Sequence, residues 1–252
     1  MKTKTKGFLL TASIGLAIAF TFSCSSDDGK GDGSGVSSSS VGGGEDPSSS
    51  SNGGQGGGNA CTNLEEVPIG SQVWAKKNLD CEIGVSKCYN NDPANCVKYG
   101  RLYDWATAMG FDPSCNSASC ASQIQTKHQG ICPSGWHIPS EAEWNVLVNF
   151  AGGEDIAGKN LKAKNGWSDY QGTSGNGTDD YDFLALPGGI NCNNSFSEIG
   201  QKSKLWAATE FFTVSGDEKT TAYVLNLRSL SNGVGQGADG KSCLFSVRCV
   251  KD

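Results

Sequence analysis

From Cys61 onward, apolar residues recur at two kinds of spacing. In "PSEAEWNVLVNFAGG", Trp144, Leu147, Val148 and Ala151 share one helical face. Pro139 and Ser140 introduce the run, Ser140 and Glu143 have the spacing of a capping box, and Gly152 is placed to end it. A shorter amphipathic helix is predicted in "GRLYDWATAMG", where Leu102, Trp105, Ala106 and Met109 recur between two glycines, and "EDIAGKNLKA" adds a helical turn. "IGSQVWAKKNL" reads as an early strand centred on Val73 and Trp74. "DFLALPGG", "KLWAATE", "TAYVLNLRSL" and "CLFSVRCVKD" are the later strands. Two main helices followed by a run of strands predict an α+β domain with a mainly antiparallel sheet, over residues 61–252.

The chain before Cys61 has no such periodicity. Lys2, Lys4 and Lys6 precede an apolar run from Phe8 to Phe22, with Ser23 and Cys24 directly after it, the layout of an export signal. The run is short of the ~20 residues a spanning helix needs. "TFSC" resembles a lipobox, with Thr21 where such boxes most often carry Leu. Residues 1–23 are therefore expected to be a lipoprotein signal peptide and Cys24 the lipidated end, an ordinary secreted protein being the simpler alternative. Ser25, Ser26, Asp27 and Asp28 resemble the acidic tag of lipoproteins sent to the cell surface, so the outer membrane is the expected location. Residues 25–60 are almost wholly Ser, Gly, Asp, Asn and Lys, with Val36 and Val41 the only branched aliphatics. As a Gly/Ser coil they would hold their ends about 30–36 Å apart, which makes 24–60 a tether and the domain a displayed module.

Charge and cysteine content narrow the class. The formal charge is −6, and no Lys/Arg cluster interleaves with aromatics, which argues against nucleic acid as a partner. Besides Cys24, the ten other cysteines all lie in the domain, an even number in an exported chain, and no pair has CxxC spacing. With only His128 and His137 as histidines, a disulfide framework is expected and a Cys/His metal centre is not. Connectivity does not follow from sequence. Cys88–Cys96 and Cys115–Cys120 are the plausible local staples, Cys61–Cys81 is added to them, and Cys132–Cys249 and Cys192–Cys243 are the favoured long bridges.

Six motifs in order, "IGSQVWAKKNLD", "YGRLYDWATAM", "CPSGWHIPSEAEWNVL", "GTDDYDFLALPGG", "LWAATE" and "FSVRCVKD", resemble the Fibrobacter succinogenes major paralogous domain over nearly all of 67–252. The resemblance implies an exported, often lipid-anchored bacterial protein with no established activity. More distantly, "IPSEAEW" and "FSVRCVKD" are similar to segments of the formylglycine-generating enzyme family. That likeness implies a C-type-lectin-like fold, which hosts glycan binders, adhesins and a copper-dependent oxidase.

Each chemical reading has a plainer competitor. Cys115 and Cys120 share the C-x4-C spacing of that oxidase's reactive pair but precede the "PSEAEW" helix instead of following it, which favours a structural disulfide. His137 with Glu141 resembles a base and its orienter, yet no nucleophile pattern accompanies them, and helix capping plus a turn histidine accounts for both. Asp179, Asp180 and Asp182, near Asn176, form a hard-oxygen cluster for calcium, without the glutamate an EF-hand loop requires. Trp206, Tyr181 and Trp167 are the candidate sugar-stacking aromatics. The expected function is a surface-anchored lipoprotein with a non-catalytic binding or adhesion domain, its partner a polysaccharide or an envelope protein. A formylglycine-generating-enzyme-like oxidase and a structural envelope protein are the alternatives. Intact mass before and after reduction is expected to show all ten domain cysteines bridged; a free thiol breaks the scheme.

Overall fold

The computed structural model describes residues 62–212 and 220–252. The predicted signal peptide, Cys24, the tether and Cys61 lie outside the described residues. Val67 and Ile69 alternate with exposed neighbours in β1 (Glu66–Ile69), and Gly70, at φ 61°, turns the chain into β2 (Gln72–Ala75). Near the other end of the domain, β12 (Val250–Lys251) pairs with β2 on one side and with β5 (Trp136–His137) on the other. The result is a four-stranded antiparallel sheet in the order β1-β2-β12-β5.

A six-stranded sheet follows the order β10 (Val234–Gly240), β9 (Thr221–Arg228), β8 (Lys202–Glu210), β11 (Phe245–Ser246), β4 (Leu102–Tyr103), β3 (Ser86–Lys87). Its pairings are antiparallel except β11 beside β8. A separate hairpin joins β6 (Ile190–Cys192) and β7 (Ser195–Ser197). Among the described residues there are four α-helices: α1 (Pro93–Tyr99), α2 (Trp105–Met109), α3 (Glu141–Phe150) and α4 (Ala157–Leu161). The domain is α+β with mainly antiparallel sheets.

Where sequence and structure differ, capping and pairing explain the difference. Leu102 is not part of the second predicted helix. The Asp104 side chain accepts from Thr107 N at 2.8 Å and caps α2, which leaves Leu102 and Tyr103 free to pair with Ser246 and Phe245. Helix α1 is not among the predicted helices, although "DPANCVKYG" carries its signals: Asp92 caps it, Pro93 opens it and Gly100 ends it. "DFLALPGG" contributes only an isolated bridge at Ala185 and another at Gly189. The glycine-rich β10 reads as loop in sequence and is a strand through its seven-pair ladder with β9. Helix α3 has the expected capping box, with Trp144, Leu147, Val148 and Ala151 buried.

Trp74 and Trp144 stack at 4.6 Å with Phe183 in a T-shaped contact to Trp74, while Trp206 packs on Phe245 at 4.6 Å in a second cluster. Bridges join Cys88–Cys96, Cys115–Cys120, Cys132–Cys249 and Cys192–Cys243. Cys81 is also disulfide-bonded. The predicted Cys61–Cys81 pair has its first member outside the described residues.

The Cys115–Cys120 loop is held by a buried ion pair. Lys241 Nζ donates to Glu210 Oε1 at 2.5 Å and to the carbonyls of Cys115 and Ala118, over the face of Trp105. Glu210 also accepts from Cys120 N and Ser119 Oγ. Removing one partner strands the other charge away from water, so Lys241→Met is expected to cost about 3–5 kcal/mol. Lys241→Met with Glu210→Gln should recover most of the loss in urea unfolding with the disulfides intact. A double variant no better than the single would show that the stranded charge is not the cause.

Candidate functional site

The residues singled out in sequence fall in very different settings. Trp206 is fully buried and donates Nε1–H to Tyr103 O at 2.8 Å; Trp167 is 4% exposed and donates to Ala185 O at 3.0 Å. Neither can stack on a ligand, because each ring is enclosed in the core and its polar edge is already satisfied. Tyr181 is half-buried against Phe150, ring centroids 5.3 Å apart. Asp179, Asp180 and Asp182 do not converge. Asp179 accepts from Leu184 N at 2.8 Å and Asp182 faces Lys76 at 3.6 Å. Among the described residues no three His, Cys, Asp or Glu side chains group as metal ligands. Cys115 and Cys120 are buried in their bridge, which gives no accessible thiolate there.

His137 is not a turn residue. It lies in β5, 1% exposed, with Nε2 2.7 Å from Glu143 Oε1 and Nδ1 2.7 Å from Asp252 Oδ1. Its expected partner Glu141 takes no part. Burial disfavours the imidazolium, but the hydrogen bonds and charges of Glu143 and Asp252 prevail and hold its pKa above the usual range. Glu143 is itself pushed up by burial, more than offset by His137 and by Ser140, whose N and Oγ donate to it at 2.8 Å; the net shift is downward. The arrangement ties the start of α3 to the C-terminal end of the chain, with no room left for substrate at either nitrogen.

An open groove of about 660 Å³ lies between the start of α3 and the β9–β10 ladder. Phe211 and Tyr223 meet edge to face in it at 5.2 Å, both partly exposed. Glu141 and Asn145 from α3 line one side, with Glu154 and Gln236 also in the lining. Burial pushes the Tyr223 hydroxyl pKa up, and the Glu141 carboxylate it faces adds to the shift. Ala238 also lines the groove and stands opposite Tyr223 in the ladder, so a small side chain on the edge strand keeps the surface low there. Sequence reasoning passed over these residues. The available signal was alternation along β9, where Tyr223 stands between buried Ala222 and Val224 and so faces the other side of the sheet.

Residues 67–251 match the Fibrobacter succinogenes major domain. No curated protein and no solved structure matches the chain. The family's name carries no activity, so the functional reading rests on the geometry.

The His137 tie makes stability depend on pH with a definite sign. The folded pKa lies above the unfolded one, so its contribution is complete below about pH 6.5 and is lost as pH rises through the folded value. Glu143, held low, acts oppositely, its contribution being lost on acidification. Melting temperature is expected to peak in mildly acid solution and decline toward alkaline pH. His137→Gln should lower stability at pH 6 by about 1.5–3 kcal/mol, the worth of hydrogen bonds to charged groups, and flatten the alkaline decline. An unchanged profile in the variant would assign that decline elsewhere.

Proposed function

The chain belongs to the Fibrobacter succinogenes major domain family, and we propose that it is a displayed polysaccharide-binding module without catalytic activity of its own. In this reading Cys24 carries the lipid that holds the protein at the outer membrane, and the Ser/Gly segment to residue 60 sets the domain at the cell surface. The pairing of N-terminal β1 and β2 with C-terminal β12 suits the C-type-lectin-like arrangement that the "IPSEAEW" and "FSVRCVKD" segments suggest.

The groove beside Tyr223 carries the proposal. A sugar ring offers an apolar C–H face and a rim of hydroxyls, and Tyr223 and Phe211 supply a surface for the first. Glu141, Glu154, Asn145 and Gln236 supply acceptors and donors for the second. An open cleft admits the middle of a chain as readily as its end, which suits an extended polymer. The buried Cys115–Cys120 bridge supports the non-catalytic side of the reading, since a redox role needs an accessible thiolate.

A glycan array and polysaccharide titrations are expected to show saturable binding by the purified, oxidised protein. Tyr223→Ala should weaken it by about tenfold, as expected for about 1.4 kcal/mol of lost ring contact. Ala238→Leu, on the same face of the ladder as Tyr223, should block the groove, with both variants still folding cooperatively. Absence of any hit on folded protein would leave a structural envelope role as the better reading.

A further inference from the structure

A second concavity, of about 360 Å³, lies where the chain around Leu64, the exit of β2 and the C-terminal end of α1 meet the loop at Leu184 and Leu186. Its charges are unevenly engaged. Glu65 faces Lys76 at 3.4 Å and Asp80 faces Arg101 at 3.8 Å, so both carboxylates in the wall already have cationic partners. The three cations in the wall, Lys77, Lys98 and Arg248, have none: among the described residues no carboxylate lies within ion-pair distance of them. Lys77 and Lys98 are exposed at the rim, while Arg248 is 1% exposed.

Arg248 is fixed without being neutralised. Nε donates to Asn78 Oδ1 at 3.0 Å, Nη1 donates to the carbonyls of Ala75 and Phe183, and the guanidinium lies 4.4 Å over the Phe183 ring. The carboxylate nearest in effect, Asp179, accepts from Leu184 N. That bond holds Leu184 at φ 54°, a conformation a leucine seldom adopts, beside the cavity. A positive pocket with aliphatic walls therefore sits on a chain whose net charge is −6.

We propose that this cavity is a second ligand site that takes one carboxylated sugar ring, a hexuronate, its carboxylate toward Lys77, Lys98 and Arg248 and its C–H face on Leu64, Leu184 and Leu186. The volume is at the small end of ligand pockets and fits one ring rather than a chain. An amino acid would bring an ammonium to carboxylates that are already paired. A neutral sugar would leave the cations unanswered, and Asn63 in the wall is an amide suited to a ring hydroxyl. The site is separate from the groove at Tyr223 and stands or falls independently of it.

The test is calorimetric or NMR titration of the purified, oxidised protein with glucuronate and galacturonate, with their methyl esters and inorganic phosphate in parallel. At least one uronate should bind at a single site, more weakly at high salt. Lys77→Ala with Lys98→Ala should weaken it by about tenfold or more, the worth of a charge-assisted contact, with the melting temperature unchanged because both side chains are at the surface. Tyr223→Ala should leave uronate binding intact, which separates this site from the groove. The proposal is overturned if neither uronate binds, if the double variant binds as well as the parent, or if a methyl ester or phosphate binds as tightly as the uronates.

Discussion

A guanidinium taken out of water must have its donors met inside the protein, and the burial of Arg248 imposes that requirement on separate segments at once. Its partners are the Ala75 carbonyl at the end of β2, the Asn78 side chain just beyond, and the Phe183 carbonyl in the long loop before β6. Burial lowers its pKa to about 9, the Asp179 charge opposing, so it remains a cation at neutral pH. The backbone on either side of Arg248 repeats the connection: Leu79 N donates to Val247 O, and Ala75 N donates to Cys249 O. Within seven residues the chain passes from β11 in the six-stranded sheet to β12 in the four-stranded one, and the Cys132–Cys249 bridge closes the seam.

Such ties matter because, away from the long β8-β9-β10 ladder, the sheets are weakly paired. β3, β4, β5, β11 and β12 have two residues each, too few for strand pairing alone to set the packing. Side chains that reach distant carbonyls supply the missing connections. Lys162, 1% exposed, donates to Arg228 O and Ser231 O, and burial lowers its pKa to about 8. Lys241 and Glu210 hold the Cys115–Cys120 loop, and His137 joins α3 to the C-terminal end. Trp105, Trp144, Trp167 and Trp206 each donate an indole N–H to a backbone carbonyl. Their burial follows from that double duty, as apolar mass and as crosslinks, and it explains why two of them are unavailable to a ligand.

Both candidate sites lie beside these ties rather than on the motifs richest in chemical side chains. "CPSGWHIPSEAEWNVL" spends Cys132 on a bridge, Trp136 and Trp144 on the core, His137 on two carboxylates, and Ser140 with Glu143 on the capping box. Only Glu141 and Asn145 of that stretch reach a groove. The cavity near Arg248 is assembled from segments that run from Asn63 to Arg248.

Local signals were enough for the elements whose energetics are local. The capping box and apolar face marked α3, short apolar runs marked β8 and β9, and the even cysteine count marked a bridged domain. Asp92, Pro93 and Gly100 mark α1 just as clearly, by a cap, an N-terminal proline and a terminating glycine. Tertiary structure alone decided which face of each aromatic meets solvent, where each charge finds a partner, and that "VGQGADG" is a strand. Periodicity records how residues along one element relate to each other. Desolvation, ion pairing and the shape of a cavity depend on residues far apart in sequence, such as Glu210 with Lys241 or Asn78 with Arg248, and these are brought together only when the chain closes on itself.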